Sequence, residues 1–295
     1  MNGKSANLPL DMGGFGISRY RYDHWLYKIA EREGVEVHQN TEVTGVTFQD
    51  GQFELFAHHK VYGSSLVIGA FGKRSKMDVK MKRPFMAKKS PYLGVKYHVR
   101  TDHPKPTISL HNFRNGYCGI SNVENGISNL CYLSHSNNLK ASGGIREMEE
   151  SILFENPFLK RIFQNSDFLF PQPVTIHEIS FEAKSPVDNH VMMCGDAAGM
   201  IAPLCGNGMA MAIHSSKILT DLIIPFYKGN IPDREGLESA YSKAWARQFG
   251  RRLWAGRQLQ KLFGSPLASH ITLGIAKNMR PLANYLISKT HGQPF

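Results

Sequence analysis

The sequence predicts an α/β protein in which a mostly antiparallel sheet is inserted between two halves of another domain, with a helical region following. Three features carry that prediction. Residues 1–72 and 190–230 mix helix-period and buried-strand patterns. Residues 73–189 are dominated by short alternating runs set off by turn residues. Residues 231–295 are helical in texture, and no internal repeat or low-complexity segment interrupts the chain.

The elements follow in order. RYRYDHWLYKIAEREG puts Tyr22, Trp25, Leu26 and Ile29 on one helical face and stops on Gly34. VEVHQNTEVTGVTFQD reads as two short strands, GQFELFAHHKVYG as an alternating strand, and SSLVIGAFG as an apolar strand closing on small residues. PYLGVKYHVR, PTISLHNF, GYCGISNV and SNLCYLSH are four strands with turns between them, the pattern of an antiparallel sheet. IREMEESILFENPFLKRIFQ is a helix broken near Pro157. HVMMCGD is a buried strand, and helix resumes at about Gly208. In the last segment Leu237, Tyr241, Ala244, Trp245 and Leu253 recur at helical spacings.

Composition narrows the class. A chain of 295 residues with 42% hydrophobic and 20% charged residues is long and apolar enough to fold, which excludes disorder as its main state. No apolar run approaches the ~20 residues of a membrane-spanning helix. MNGKSANLPLDMGG lacks the charged-then-apolar pattern of a signal peptide. Cys118, Cys131, Cys194 and Cys205 form no CxxC pair, which suits buried or free thiols in a reducing, cytoplasmic setting. The net charge is +11, and residues 234–295 hold ten Lys or Arg against two acids. No zinc knuckle or RNA-binding aromatic signature accompanies that charge, so nucleic acid is not the expected partner.

The stretch CGDAAGMIAPLCGNGMAMAI, residues 194–213, carries the chemistry. A buried strand ends in Asp196, and side chains at the carboxyl end of such a strand reach a ligand crevice. An ionised carboxylate there is purely an acceptor, suited to sugar-type hydroxyls. Ala197, Ala198 and Gly199 are expected to let a bulky ligand lie on backbone. Gly206 and Gly208 permit positive φ and close approach. The helix that starts there presents free N–H groups and a partial positive charge, worth roughly 0.3–1 kcal/mol to an electron-rich ligand atom.

The pattern strand–GDAAG–P–GxG–helix resembles the second FAD fingerprint of the flavoprotein hydroxylase superfamily, especially its geranylgeranyl-reductase-like branch. The resemblance implies a Rossmann-like FAD-binding domain of the glutathione-reductase type. Residues 1–72 and 190–230 would be its two parts, 73–189 the inserted substrate-binding sheet and 231–295 the helical C-terminal region. Gly195 and Asp196 would sit at the ribityl chain, Pro203 and Gly206 in the following turn. The backbone of Gly208 and Met209 would face the pyrimidine end of the flavin.

Two further segments match. Arg19, four residues before Asp23 on the first helix, is similar to the family's Arg-x-x-x-Asp helix and would contact FAD through phosphates or ribityl oxygens. Val43, in the Thr-x-Val-like strand, would bind the adenine edge through its backbone. Gly69 and Ala70, in SSLVIGAFG, would pack on the ADP half. The family writes an acid where this chain has Phe71, and that departure speaks against direct use of NAD(P)H. The family's opening strand–GxGxxG–helix, which cradles the pyrophosphate, has no counterpart here. The FAD-binding domain is therefore expected to be incomplete at its N-terminal side, with a missing segment or a partner chain supplying that unit.

Other constellations are weaker. Thirteen histidines show no metal-ligand spacing, and no nucleophile elbow is present, so no metal is expected. Tyr92, Tyr97, His111, Phe113 and Tyr117 are candidates for lining a substrate cavity over the sheet. Ser215 and Ser216 read as helix packing residues. FGRRLWAGRQLQKLFG mixes basic and aromatic residues, as helices at an anionic membrane surface do. The resemblance implies an FAD-dependent oxidoreductase acting on a hydrophobic small molecule, geranylgeranyl reductase-like, with no catalytic residue assigned. A monooxygenase or hydroxylase is the alternative enzyme. A truncated non-catalytic fragment, or a module binding lipid or a membrane surface, is the alternative of another class.

Overall fold

The computed structural model describes residues 5–9, 13–262, 274–275, 277–279, 281 and 283. The expected helical region beyond Leu262 lies mostly outside the described residues. Two compact units divide the chain. One holds the residues up to His38 together with Pro91–Ile179, and the other holds Gln39–Ser90 and Ser180–Gln260. The first 38 residues thus belong with the inserted sheet.

Helix α1 spans Arg19–Arg32, started by Ser18, whose hydroxyl accepts from the Arg21 N–H. The Ser18 N–H donates to a carboxylate oxygen of Glu124 at 2.8 Å, and its hydroxyl donates to the other. Gly34 follows α1 at φ +79°, a left-handed position that suits glycine. The helix forms as its spacing predicts, yet no residue of α1 is buried, and Trp25 is 62% exposed. On its apolar face Tyr22 and Ile29 are half-buried, and Trp25 and Leu26 are exposed.

Of the two strands expected over residues 35–50, only the second forms, as β1 (Val43–Gln49). It continues into β2 (Gln52–Ala57) and β3 (Lys60–Ser64) as an antiparallel meander. Asp50 and Gly51, both at positive φ, make the two-residue turn between β1 and β2. SSLVIGAFG gives its first residue, Ser64, to β3 and then forms only the short strand β4 (Ile68–Gly69), followed by the short helix α2 (Lys76–Lys80).

The sheet between the two halves is as its alternation predicts. Strands β5 (Tyr92–Arg100), β6 (Ile108–Phe113), β7 (Gly116–Asn122) and β8 (Ser128–His135) lead to α3 (Ser136–Ser142), α4 (Ile145–Ser151) and α5 (Pro157–Asn165), then to β9 (Asp167–Phe168) and β10 (Val174–Ile176). The order is β10-β5-β8-β7-β6, antiparallel throughout, with β9 on the end of β5. The break expected near Pro157 is a new helix start, with Asn156 capping α5 and Pro157 in its first turn.

Directly opposed residues share a face, so Val95, Tyr132, Cys118 and His111 form one rung. That rung lies under the helices: Tyr97, Phe113 and Tyr132 are in the core they cover, and His111 stacks on Phe158 of α5. Tyr97, His111 and Phe113 therefore do not line the opposite face of the sheet, where Tyr92 and Tyr117 point. Strand period two separates them.

Within this core the Glu149 carboxyl accepts 2.8 Å hydrogen bonds from the Tyr97 and Tyr132 hydroxyls. Burial raises its pKa above the ordinary 4.5, against the opposing pull of the two hydroxyls. The folded state thus holds the proton more tightly than the unfolded chain does. The resulting stability is fully present below pH ~4.5 and is lost as pH rises through the folded pKa. Urea unfolding is expected to show Glu149→Gln gaining on the parent as pH goes from 4 to 7. Parallel curves would remove this assignment.

The second unit resumes with β11 (Val187–Asp188), β12 (Val191–Met193), α6 (Gly208–Tyr227) and α7 (Arg234–Leu262). β12 lies between β11, antiparallel, and β4, parallel. On α7 the residues Leu237, Tyr241, Trp245, Phe249 and Leu253 recur every four positions and are all buried against β12 and the turn after it. Burying each contributes about 1.5–3 kcal/mol. The buried Tyr241 hydroxyl donates to the Met193 carbonyl at 2.5 Å.

Candidate functional site

The turn after β12 is held from within its own unit. Gly195 sits at φ +60°, and a Cβ there would lie 3.1 Å from the Ala212 Cβ on α6. Its N–H donates to the Ser215 hydroxyl at 2.9 Å, and that hydroxyl donates to the Ala212 carbonyl at 2.8 Å. Ser215 is thus more than packing: it pins the turn to α6. The N–H groups of Ala198 and Gly199 both bond back to the Gly195 carbonyl.

The small residues serve a different purpose from the one expected. Ala197 and Ala198 are fully buried in the core with α7, and a Cβ on Gly199 would lie 3.0 Å from Leu253. They let α7 approach, and they offer no bed for a ligand. Between Val191 and Ala202 only Asp196 is not buried.

The chain then makes a short turn at Pro203–Cys205 and reverses at Gly206, φ +66°. Helix α6 starts at Gly208, and Asn207 before it gives no side-chain cap. The first N–H groups of a helix have no intrahelical partners. Among the described residues nothing lies within 4 Å of where a Cβ on Gly206 or Gly208 would stand. Pro203, Gly206 and Met209 are exposed.

A second wall lies in the same unit. A cavity of about 430 Å³ is lined by Val43, Gly69, Ala70 and Phe71, with Ile68 and Met77 among its other walls. The structure thereby brings Val43, Gly69 and Ala70 together. A Cβ on Gly69 would fall 2.6 Å from the Met193 sulfur and 2.8 Å from the Phe71 ring, so a side chain there would have to push both aside. Phe71, where the resembling family has an acid, is partly buried and packs on the apolar core. The Cys194 N–H donates to the Gly69 carbonyl at 2.9 Å, joining this wall to the Asp196 turn. Arg19 belongs to the other unit, where it makes a two-pronged ion pair with Asp23 at 2.9 Å.

Sequence reading missed the residues that brace the turn. Arg83, 1% exposed, ion-pairs with Asp78 at 2.9 Å and Asp188 at 3.2 Å. It also donates to the carbonyls of Ala197 and Ser185, each at 2.8 Å. Asp78 in turn closes a capping box with Ser75 at the start of α2. Arg83 lies in MKRPFMAKK, where a basic run reads as surface. The only local signal was Ser75 three residues before an acid.

Among the described residues no group of His, Cys, Asp and Glu could hold a metal ion, and no helix is long and apolar enough to cross a membrane. Cys118, Cys131 and Cys194 are free thiols.

No family model matches the chain, and no curated protein matches it. Solved structures do. A flavoprotein/dehydrogenase from Cytophaga hutchinsonii superposes with a TM-score of 0.70 at 18% identity, over 92% of this chain and 68% of its own. A geranylgeranyl bacteriochlorophyll reductase-like protein from Thermoplasma acidophilum gives 0.70 at 16%, over 92% and 71%. The flavin-dependent brominase Bmp2 gives 0.72 at 16%, over 92% and 70%. Klebsiella pneumoniae HpxO, solved with FAD and uric acid, gives 0.64 at 13%, over 92% and 71%. The fold of this chain is the one these flavoproteins share.

Proposed function

We propose that the chain is an FAD-dependent oxidoreductase acting on a hydrophobic small molecule, with double-bond reduction of the geranylgeranyl reductase type as the first reading. The observation that carries it is the run from β12 through the surfacing Asp196 to the uncapped start of α6, set in a flavoprotein fold. The residues fit the cofactor. Asp196 would accept from a ribityl hydroxyl, and the N–H groups of Gly208 and Met209 would face the pyrimidine edge across the open space at Gly206 and Gly208. Val43, Gly69 and Ala70 would hold the ADP half at the 430 Å³ cavity. FAD, when bound, supplies the hydride or electron transfer, and the protein supplies binding and orientation. Arg19 stays an expected contact that this reading does not need.

Strand β4 supports a further part of the reading. Among the described residues it pairs only with β12, and Ile68 is 48% exposed at its edge. An open parallel edge beside an apolar hollow suits one more parallel strand. A pyrophosphate-binding unit carrying such a strand would complete the cofactor site, as another segment or as a partner.

Titration of the purified protein with FAD, followed by flavin fluorescence, tests the reading. Saturable quenching at one equivalent is the expected result, and a chain that takes up none would give way to the fragment reading. A monooxygenase or hydroxylase is the second reading. Oxygen uptake stoichiometric with substrate turnover would select it over the reductase.

A further inference from the structure

Lys184 is a half-buried cation with no part in the site as described so far. It lies in the segment before β11, and its ammonium donates to the Lys73 carbonyl at 2.6 Å and the Asp196 carbonyl at 2.8 Å. The first carbonyl is in the loop that follows Gly69 and Ala70, the second in the turn that presents Asp196. The ammonium also stands 4.4 Å from the centre of the Phe85 ring. One side chain thus ties the two loops expected to hold opposite ends of the same ligand.

We propose that Lys184 is a positioning residue for the cofactor: by fastening the loop after β4 to the turn after β12, it sets the affinity for FAD. The proposal rests on the FAD reading above. Placement errors of about 1 Å are costly in a preorganised site, and this tie bears on both loops at once. A charged donor also makes the stronger hydrogen bond to a carbonyl.

The charged groups around the ammonium are Asp78 on α2, Arg83 after it, Asp196 in the turn, and Lys73 in the loop, whose own amine burial pushes down. Burial outweighs the two acids and brings Lys184 down to about 8. The tie is therefore mostly charged at pH 7 and loses its charge as pH rises through 8.

Lys184→Met, close in shape and without charge, tests this on the full chain, with circular dichroism to confirm folding. Without FAD, amide exchange is expected to quicken at 70–74 and 195–199 together. With FAD, affinity is expected to fall roughly tenfold as the two loops lose their charge-assisted tie. The parent's own FAD affinity should drop between pH 7 and 9, while the variant's stays flat. Unchanged exchange in either loop would overturn the tie. Faster exchange with unchanged FAD affinity, or a parent affinity flat with pH, would overturn the positioning role. No FAD uptake by the parent would overturn the FAD reading and the cofactor half of this proposal, while exchange still decides the tie.

Discussion

Replacing Arg83 by methionine is expected to cost about 3–5 kcal/mol of folding stability, the range for breaking a buried ion pair from one side. The geometry argues for the upper part of that range. Asp78 is fully buried and would lose its cation, and Asp188 is only 19% exposed. The carbonyls of Ala197 and Ser185 would lose a donor as well. Equilibrium urea unfolding reads the effect directly. The double variant Arg83→Met, Asp78→Asn should recover part of the loss, because it no longer strands a buried carboxylate. A single variant within 1 kcal/mol of the parent would show that Arg83 does not brace the turn after β12.

Asp196→Ala is expected to weaken FAD binding roughly ten- to a hundredfold, since a hydrogen bond to a charged group is worth about 1.5–3 kcal/mol. Stability should change far less. Asp196 is the one residue between Val191 and Ala202 that is not buried, and the turn is held by other groups. Its shape depends on Gly195, Ser215, Lys184 and Arg83. Fluorescence titration and urea unfolding of the same preparation separate the two quantities. Equal FAD affinity in parent and variant would remove Asp196 from the site. A large stability loss would recast it as a structural residue.

How much of this was legible depends on what each segment buries. The four strands from Tyr92 to His135 read clearly because one face lies under helices and the other does not, which writes period two into the sequence. The same periodicity, applied strictly, would have separated Tyr97, His111 and Phe113 from Tyr92 and Tyr117. Aromatic character obscured it. Strand β12 and the start of α6 read well because their apolar run, acid and glycines sit within twenty residues.

Long-range braces did not read. Arg83 contacts residues more than a hundred positions away, and Lys184 reaches back as far to Lys73. No local pattern marks such pairings. Ala197, Ala198 and Gly199 read as room for a ligand because a small residue looks the same beside a cofactor and beside a helix. Only Leu253 and Trp245 on α7 show which it is. On α1 the amphipathic pattern was legible, but periodicity says nothing about what covers the apolar face.

The central claim is that the stretch from β12 to α6 carries the flavin half of an FAD site. A crystal structure of the protein grown with FAD tests it most directly. The expected result is a ribityl hydroxyl bonded to the Asp196 carboxylate and the pyrimidine edge at the N–H groups of Gly208 and Met209. A flavin bound away from that helix start, with Asp196 and α6 untouched, would contradict it.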